Sequence, residues 1–226
     1  MRELLQTKVV AHSGQKVHLR FHPVMHLLDG TSYGAVCEMS KTFEERVSFG
    51  PAAHSAPGPN PAKWLCERLS EVASAAHTFD SRLRPIIVPA PLAALSHANT
   101  AVGCDATIRR TSLCQQEICL EFEDTAFAGC KADIVNRVAH FRRHGFRVSI
   151  DMRKSWQTPL SEALRLLIDS IRVDARDLEV DDELLDICEM ASAAGILVIA
   201  ENANWRDGEF LTRYGINAGV QIRADC

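Results

Sequence analysis

The feature that most constrains the fold of this chain is the alternation of strand-like apolar segments with helical segments. The strand-like segments are residues 17–27, 33–39, 84–90, 118–124, 146–151, 169–174, 196–202 and 217–222. Strands that alternate with helices indicate a parallel sheet or barrel. In a βα barrel, the functional groups lie at the carboxyl ends of the strands. Here those ends carry Glu121, Asp151, Asp174 and Glu201.

The first two strand-like segments, 17–27 and 33–39, are separated by a turn that contains Asp29-Gly30. An Asp-Gly turn between two apolar runs is typical of a β-hairpin, so we expect these two strands to be antiparallel. Residues 1–16 are interpreted as an N-terminal lead. Residues 48–62 are rich in Pro and Gly and are predicted to form a loop.

The remaining segments have apolar residues at helical spacing, and they predict five helices. These are residues 63–77, 131–144, 159–168, 181–194 and 206–214. Gly145 and Gly195 are expected to end the second and the fourth helix, and Thr158 with Pro159 to begin the third.

Composition narrows the functional classes. The 226 residues, 46% of them hydrophobic, suit one domain spanning residues 1–226, and we expect a self-contained protein. A net charge of −4 argues against nucleic acid as a partner. No segment has the apolar length of a signal peptide or a membrane span. The eight cysteines show no metal-binding spacing, so we interpret them as reduced thiols in a cytoplasmic protein.

With the strand ends located, the sequence resembles the EAL domain family, whose members hydrolyse cyclic di-GMP. The resemblance spans about residues 17–222 and rests on motifs that occur in the family's order. They are FHPVMHLLDG from Phe21, YGAVCEM from Tyr33, LEFED from Leu120, GFRVSIDMRKS from Gly145, IDSIRVD from Ile168, VIAENAN from Val198 and RYGINAGVQ from Arg213. The resemblance implies a modified TIM-type (β/α)8 barrel of the α/β class. It also implies an antiparallel first strand and, here, a shortened outer wall near residues 44–62.

The chain departs from the family pattern at the positions that carry the chemistry. The resemblance implies four strand-end metal ligands, in the order Glu, Asn, Glu and Asp. The first two fall on Val36 and Pro89, whereas the other two are kept as Glu121 and Asp151. Other functional positions of the family are also replaced. Met152 stands where the family has an Asp directly after the Asp that is kept here as Asp151, and Arg172 stands at the position of the catalytic Lys. The substrate-contacting Gln and Arg are replaced by His22 and Ser40, the glutamate three residues after Glu201 by Asn204, and the C-terminal Gln by Val220.

Mg²⁺ and Mn²⁺ need several oxygen ligands in a fixed shell, and Val36, Pro89 and Met152 supply none. We therefore predict no catalytic residues, no metal site and no cofactor. The resemblance then implies a catalytically inactive EAL-like protein that regulates bacterial motility, adhesion or virulence through contact with a protein partner, with a homodimer as a further option. The alternatives are a receptor that binds cyclic di-GMP without cleaving it and a weak phosphodiesterase with a rearranged site.

The candidate site residues have a functional and a structural interpretation. Glu121, Asp151, Glu201 and Arg172 are vestigial active-site positions, and the three carboxylates either keep a cation or pair with Arg172 and Arg153. Four further residues are candidate ligand contacts. Arg153 either holds a phosphate or serves as a counter-ion, and His22 is either a base or a hydrogen-bonded core residue. Glu38 could be a displaced metal ligand, and Asp174 is a candidate because it ends its strand. His140 and His144 have a metal-capable spacing, but their surroundings favour a solvated helix end.

Overall fold

The structure is a computed structural model, and it describes residues 5–10, 16–40, 60–77, 81–95, 97–127, 132–157, 160–203 and 207–220. The predicted loop 48–62 lies outside these residues except for its last three positions, and so does the rest of the predicted shortened wall near 44–62. Thr158, Pro159, Asn204 and Gln221 also lie outside them.

The described residues form nine strands and seven α-helices. The strands are β1 Leu5–Val10, β2 Lys16–His26, β3 Ser32–Ser40, β4 Ile86–Pro89, β5 Ile118–Glu123, β6 Arg147–Asp151, β7 Ser170–Asp174, β8 Leu197–Glu201 and β9 Ala218–Val220. The helices are α1 Pro61–Ala76, α2 Leu92–Leu95, α3 Thr100–Ile108, α4 Ala132–Arg143, α5 Glu162–Arg165, α6 Asp182–Ala193 and α7 Gly208–Arg213.

Strands β2 to β9 close into an eight-stranded α/β barrel of the expected kind. Each strand pairs with the next in sequence, and β9 returns to pair with the end of β2. Strands β3 to β9 run parallel to one another, whereas β2 is antiparallel to both of its barrel neighbours. The predicted hairpin and the antiparallel first barrel strand are therefore confirmed. The turn is held by Asp29, whose Oδ1 accepts hydrogen bonds from the backbone N–H and the hydroxyl of Thr31.

The N-terminal lead contains a strand that the sequence does not predict. Residues 5–10 form β1, which pairs antiparallel with the first half of β2, from Lys16 to Phe21. The second half of β2 pairs with β9 between Val24 and His26. Since β2 is eleven residues long, it has room for both partners along one edge.

Most of the predicted helices are present, with corrected limits. Helices α4 and α6 match the predictions, and Gly145 and Gly195 follow them with positive φ angles of 90° and 78°, which glycine adopts without strain. The predicted helix 159–168 is wrong in extent: α5 covers only Glu162–Arg165, and the Ser161 hydroxyl caps it. Helices α2 and α3 were not predicted.

The apolar side chains form two layers. The larger cluster lies between the barrel and the helices and includes Phe21, Phe122, Phe146 and Met152. A smaller cluster fills the barrel, because alternate side chains of each strand point inward; its buried members are Val24, Val36, Ile87, Cys119, Ile199, Ala218 and Val220. Four of the described cysteines, Cys37, Cys104, Cys119 and Cys188, are buried, and no described cysteine is in a disulfide. These four cysteines are small residues of the core.

Candidate functional site

Four buried carboxylates lie at the carboxyl end of the barrel. Asp151, Asp174 and Glu201 are the last residues of β6, β7 and β8. Glu121 was predicted at a strand end, but it lies within β5, two residues before the strand ends at Glu123. The register places Asp174 directly beside Glu201. The parallel strands thus bring four acidic side chains from distant parts of the sequence to one mouth.

Arg172 lies at the centre of this mouth and contacts three of the four carboxylates. Its Nε donates to Glu121 Oε1 over 2.9 Å, and its Nη2 donates to Glu121 Oε2, so the pair is bidentate. Its Nη1 donates to Glu201 Oε1 over 2.7 Å, and Asp151 Oδ2 lies 3.7 Å from Nη2. Glu121 lies on β5 and Arg172 on β7, so they reach each other only through the barrel interior. Of the two interpretations that the sequence left open for these carboxylates, the contacts seen here are those of the pairing with arginine.

Arg153 adds a second guanidinium to the same network. Its Nε and Nη2 donate to the two carboxylate oxygens of Asp151 over 2.8 and 2.7 Å, and its backbone N–H donates to Asp151 Oδ1 over 3.1 Å. Its Nη1 reaches across to Glu201 Oε2 over 2.6 Å. Glu201 therefore joins the two arginines, one on each carboxylate oxygen. We name the group of Glu121, Asp151, Arg153, Arg172 and Glu201 the mouth network.

The mouth network carries one net negative charge when all five groups are ionised. Burial raises the pKa of Glu121; Arg172 opposes this shift and Asp151 adds to it. Burial disfavours the charged form of Arg172 and of Arg153, but the surrounding carboxylates outweigh it and raise the pKa of each guanidinium. Both arginines therefore remain cationic. They supply the positive charge that buried carboxylates require.

Asp174 belongs to a separate cluster beside the mouth network. Its Oδ1 accepts from the backbone N–H and Nε of Arg176, both at 3.0 Å. Its Oδ2 accepts from Arg176 Nη2 over 2.6 Å and from Asn202 Nδ2 over 2.9 Å. Burial raises the pKa of Asp174, but these hydrogen bonds outweigh burial, and the net pKa is lowered. The structure thus does not bring Asp174 into contact with Arg172.

The two strand-end aspartates share one local geometry, which the sequence analysis missed. In both Asp151-Met152-Arg153 and Asp174-Ala175-Arg176, the arginine two residues later folds back on the aspartate. It uses the backbone N–H and Nε on Oδ1, and Nη2 on Oδ2. An Asp-x-Arg sequence whose Asp is the last residue of a strand was the available signal for this arrangement. Because the contact is local, it forms without help from distant residues.

His22 and Glu38 form a pair on the hairpin side of the mouth. Their Nε2 and Oε2 atoms are 2.9 Å apart, with His22 buried and Glu38 about half exposed. The hydrogen bond from His22 lowers the pKa of Glu38. The Glu38 carboxylate therefore has a neighbour other than a metal ion, and the structural interpretation of His22 as a hydrogen-bonded residue fits this contact.

The residues at the family's lost ligand positions have no side-chain oxygen, and two of them, Val36 and Met152, are members of the apolar clusters. Val36 packs in the cluster inside the barrel, next to Ile87 in the register. Pro89 ends β4 beside Glu121, and Met152 is buried in the layer between barrel and helices. Within the described ranges, no three His, Cys, Asp or Glu side chains form a group that could hold a metal ion. These residues do not fit the divalent-cation site that the resemblance implies.

His140 lies on the last turn of α4 and His144 directly follows the end of this helix, with ring centroids 5.0 Å apart. His144 Nδ1 also lies 3.5 Å from Asp105 Oδ2. This pair belongs to the outer helix layer and is not part of the mouth network.

Comparison with known proteins identifies the family. The profile described as "EAL domain" matches residues 2–216. Among solved structures, the PaMucR phosphodiesterase in complex with c-di-GMP superposes with a TM-score of 0.70 at 18% identity, covering 90% of this chain and 88% of that one. The EAL domain of Mycobacterium smegmatis DcpA gives 0.67 at 15% identity, over 90% and 89%. At these identities, the structures establish the shared fold.

The EAL enzyme Bd1971, in its cAMP and cyclic-di-GMP bound form, also superposes, with a TM-score of 0.69 at 16% identity over 90% of this chain. The present chain spans 60% of the length of that protein. No curated protein matches the sequence. In the part of the chain that the structure describes, no helix is long and apolar enough to cross a membrane.

Proposed function

The chain belongs to the EAL domain family, and from this premise we propose that it is a regulatory protein that does not hydrolyse cyclic di-GMP and acts through contact with a protein partner. The observation that carries the proposal is the position of Arg172. Its guanidinium lies among Glu121, Glu201 and Asp151, where it takes up carboxylate oxygens that a metal ion would need.

Two-metal hydrolysis needs two cations about 4 Å apart, which activate water and stabilise the leaving oxygen. A divalent cation bound by these carboxylates would be in contact with the Arg172 guanidinium. Two positive charges in contact repel each other strongly in a buried site. Val36 and Pro89 provide no side-chain oxygen on the opposite wall. Replacing the family's lysine by Arg172 also removes a side chain that can give up its proton, because a guanidinium stays charged at any ordinary pH.

The direct test is hydrolysis. The protein is incubated with cyclic di-GMP and Mg²⁺ or Mn²⁺, and the linear dinucleotide is followed, with the PaMucR phosphodiesterase as the positive control. We expect no product above the uncatalysed background. Turnover of about 1 per second or faster, the usual range for an enzyme, would overturn the proposal.

The second candidate is a receptor that binds cyclic di-GMP without cleaving it. It is favoured by Arg176, whose side chain is 74% exposed beside the mouth, and by the partly exposed Arg153. Guanidinium groups can hold phosphate oxygens in a bidentate manner. Both arginines, however, already bind aspartates, so a phosphate would have to displace an existing carboxylate partner.

Calorimetry with cyclic di-GMP separates the two candidates. We expect a dissociation constant weaker than about 10 µM, equivalent to less than roughly 7 kcal/mol of binding free energy. A sub-micromolar constant that is lost in Arg176→Ala would establish the receptor instead. Lys63→Ala, which removes an exposed positive charge from α1 that takes no part in the mouth network or the Asp174 cluster, is the control.

A further inference from the structure

Two cysteines of the outer helix layer lie in contact, away from the barrel mouth. Cys66 is on α1 and Cys104 on α3, and their Sγ atoms are 4.0 Å apart. The residues are 38 positions apart in the sequence, so the contact is a product of the packing of α1 against α3. A disulfide has an S–S distance of about 2.05 Å, so the two sulfurs need to approach by about 2 Å to form one.

Gly103, the residue before Cys104, leaves room for the contact between the two sulfur atoms. At Gly103, an added Cβ would lie 3.2 Å from Cys66 Sγ. A larger side chain at this position would press on the Cys66 sulfur. The glycine therefore leaves the space in which the two thiols meet.

The two thiols differ in their access to solvent. Cys66 is partly exposed and lines an open cavity of about 610 Å³ between α1 and the end of α3, which Ser70, His77, Thr107 and Arg110 also line. Cys104 is fully buried. A reagent that enters the cavity therefore meets Cys66 first, and Cys104 is reached through Cys66.

The pKa shifts of the two thiols also indicate that Cys66 reacts before Cys104. The hydrogen bond from Cys104 lowers the pKa of Cys66 to about 7, with burial opposing it and Thr107 adding to it. The same hydrogen bond, together with burial, raises the pKa of Cys104. The accessible thiol is thus the one that ionises near neutral pH, and the thiolate is the reactive form of cysteine.

We propose that Cys66 and Cys104 form a reversible dithiol–disulfide pair, in which Cys66 reacts with a hydroperoxide from the cavity and Cys104 resolves the product. The Cys66 thiolate attacks one peroxide oxygen, the O–O bond breaks, and the alcohol or water leaves with a proton. This leaves a sulfenic acid on Cys66. The Cys104 sulfur then attacks the Cys66 sulfur, the S–O bond breaks, and water leaves with the proton of Cys104. In sum, two thiols and one hydroperoxide give one disulfide, one alcohol or water, and one water.

The new bond would link α1 to α3, which are separated along the chain by β4 and α2. The other described cysteines differ from this pair. Cys37, Cys119 and Cys188 are buried, and burial raises the pKa of each. Cys114 is exposed but has no thiol neighbour among the described residues, which makes it a suitable internal reference.

The test treats the reduced, folded protein with a small excess of hydrogen peroxide, blocks the remaining thiols, digests the protein without reductant and analyses the peptides by mass spectrometry. We expect a linked peptide pair containing Cys66 and Cys104 as the main disulfide, reversed by dithiothreitol. In Cys104→Ser, a dimedone adduct should accumulate on Cys66, whereas Cys66→Ser should leave Cys104 unmodified. Cys114→Ser is the matched control and should leave the yield of the linked pair unchanged.

A measurement on the unmodified chain keeps the test independent of whether these variants fold. The rate of alkylation of Cys66 should rise with pH to half its maximum near pH 7, and in Cys104→Ala the midpoint should shift upward. The proposal is overturned if peroxide modifies Cys114 as fast as Cys66. It is also overturned if the linked pair appears only after denaturation.

Discussion

The half of the barrel mouth built from β5, β6, β7 and β8 is ionic, whereas the half built from β2, β3, β4 and β9 is largely apolar. The ionic half holds the mouth network, in which three buried carboxylates share two guanidiniums. The other half presents Val36, Pro89 and Val220, together with an ion pair between the buried His22 and the half-exposed Glu38. Each buried carboxylate of the mouth network thus has an arginine of the same chain as its counter-charge.

This difference explains how the fold can keep buried carboxylates at the mouth without a bound metal ion, as in the proposed function. Buried carboxylates that have lost a cation must gain another positive partner or become protonated. Arg172 and Arg153 provide that partner within the chain. On the apolar half, no buried arginine faces Val36 among the described residues, so a carboxylate there would be buried without compensation.

The largest expected effect comes from removing the central guanidinium. Arg172→Ala leaves Glu121 without its bidentate partner and should lower the free energy of unfolding by about 3–5 kcal/mol, the usual cost of breaking a buried ion pair. Urea unfolding at pH 7 measures it. Arg176→Ala, which removes an exposed guanidinium from Asp174, is the control and should have a much smaller effect. Equal effects of the two variants would contradict the central role of Arg172.

The next prediction asks whether charge or volume matters at this position. The double variant Arg172→Met/Glu121→Leu replaces the buried pair by apolar groups of similar size, while Glu201 keeps Arg153. It should be more stable than the sum of the two single effects predicts, with a coupling energy of about 1–3 kcal/mol. Strict additivity would mean that the contact between Arg172 and Glu121 contributes little.

A smaller effect is expected when polarity is introduced into the apolar half. Val36→Thr keeps the shape of the side chain but places a hydroxyl among Val24, Ile87 and Val220. It should cost about 1–2 kcal/mol, because the hydroxyl loses its water without an assured partner. Unlike changes to exposed charges, this cost should not vary with salt concentration. Val36→Ala separates the loss of volume from the gain of polarity, and a stabilising Val36→Thr would show that this half is not apolar.

The smallest effect should appear at the exposed pair. Since His22 lowers the pKa of Glu38 below its ordinary value of 4.5, the pair stabilises the fold above that pH and loses its effect as the pH falls through the lowered pKa. Glu38→Gln should therefore be less stable than the wild type at pH 7, by less than about 1 kcal/mol because Glu38 is half exposed. The difference should shrink as the pH falls from 7 through the lowered pKa. Urea unfolding across this pH range tests this, and a difference that grows on acidification would contradict the prediction.

Local sequence signals predicted a large part of the fold. The Asp29-Gly30 turn between two apolar runs is sufficient to indicate the hairpin, and Gly145 and Gly195 mark the ends of α4 and α6. These features depend on residues within a few positions of each other. In contrast, β1 could not be assigned from residues 5–10 alone, because that strand exists through its pairing with the far longer β2. Helix α3 was missed because residues 100–108 are apolar on several faces, without a clear helical stripe.

The sequence by itself determined which acidic residues reach the mouth, since each follows an apolar run that forms a parallel strand. It also determined the Asp-x-Arg contacts at Asp151 and Asp174, which span two residues. Only the tertiary structure decided that Arg172 binds Glu121 and Glu201, and that Cys66 meets Cys104. Those partners are 51, 29 and 38 positions apart. Whether such side chains meet depends on barrel closure and helix packing, which place distant residues within bonding distance.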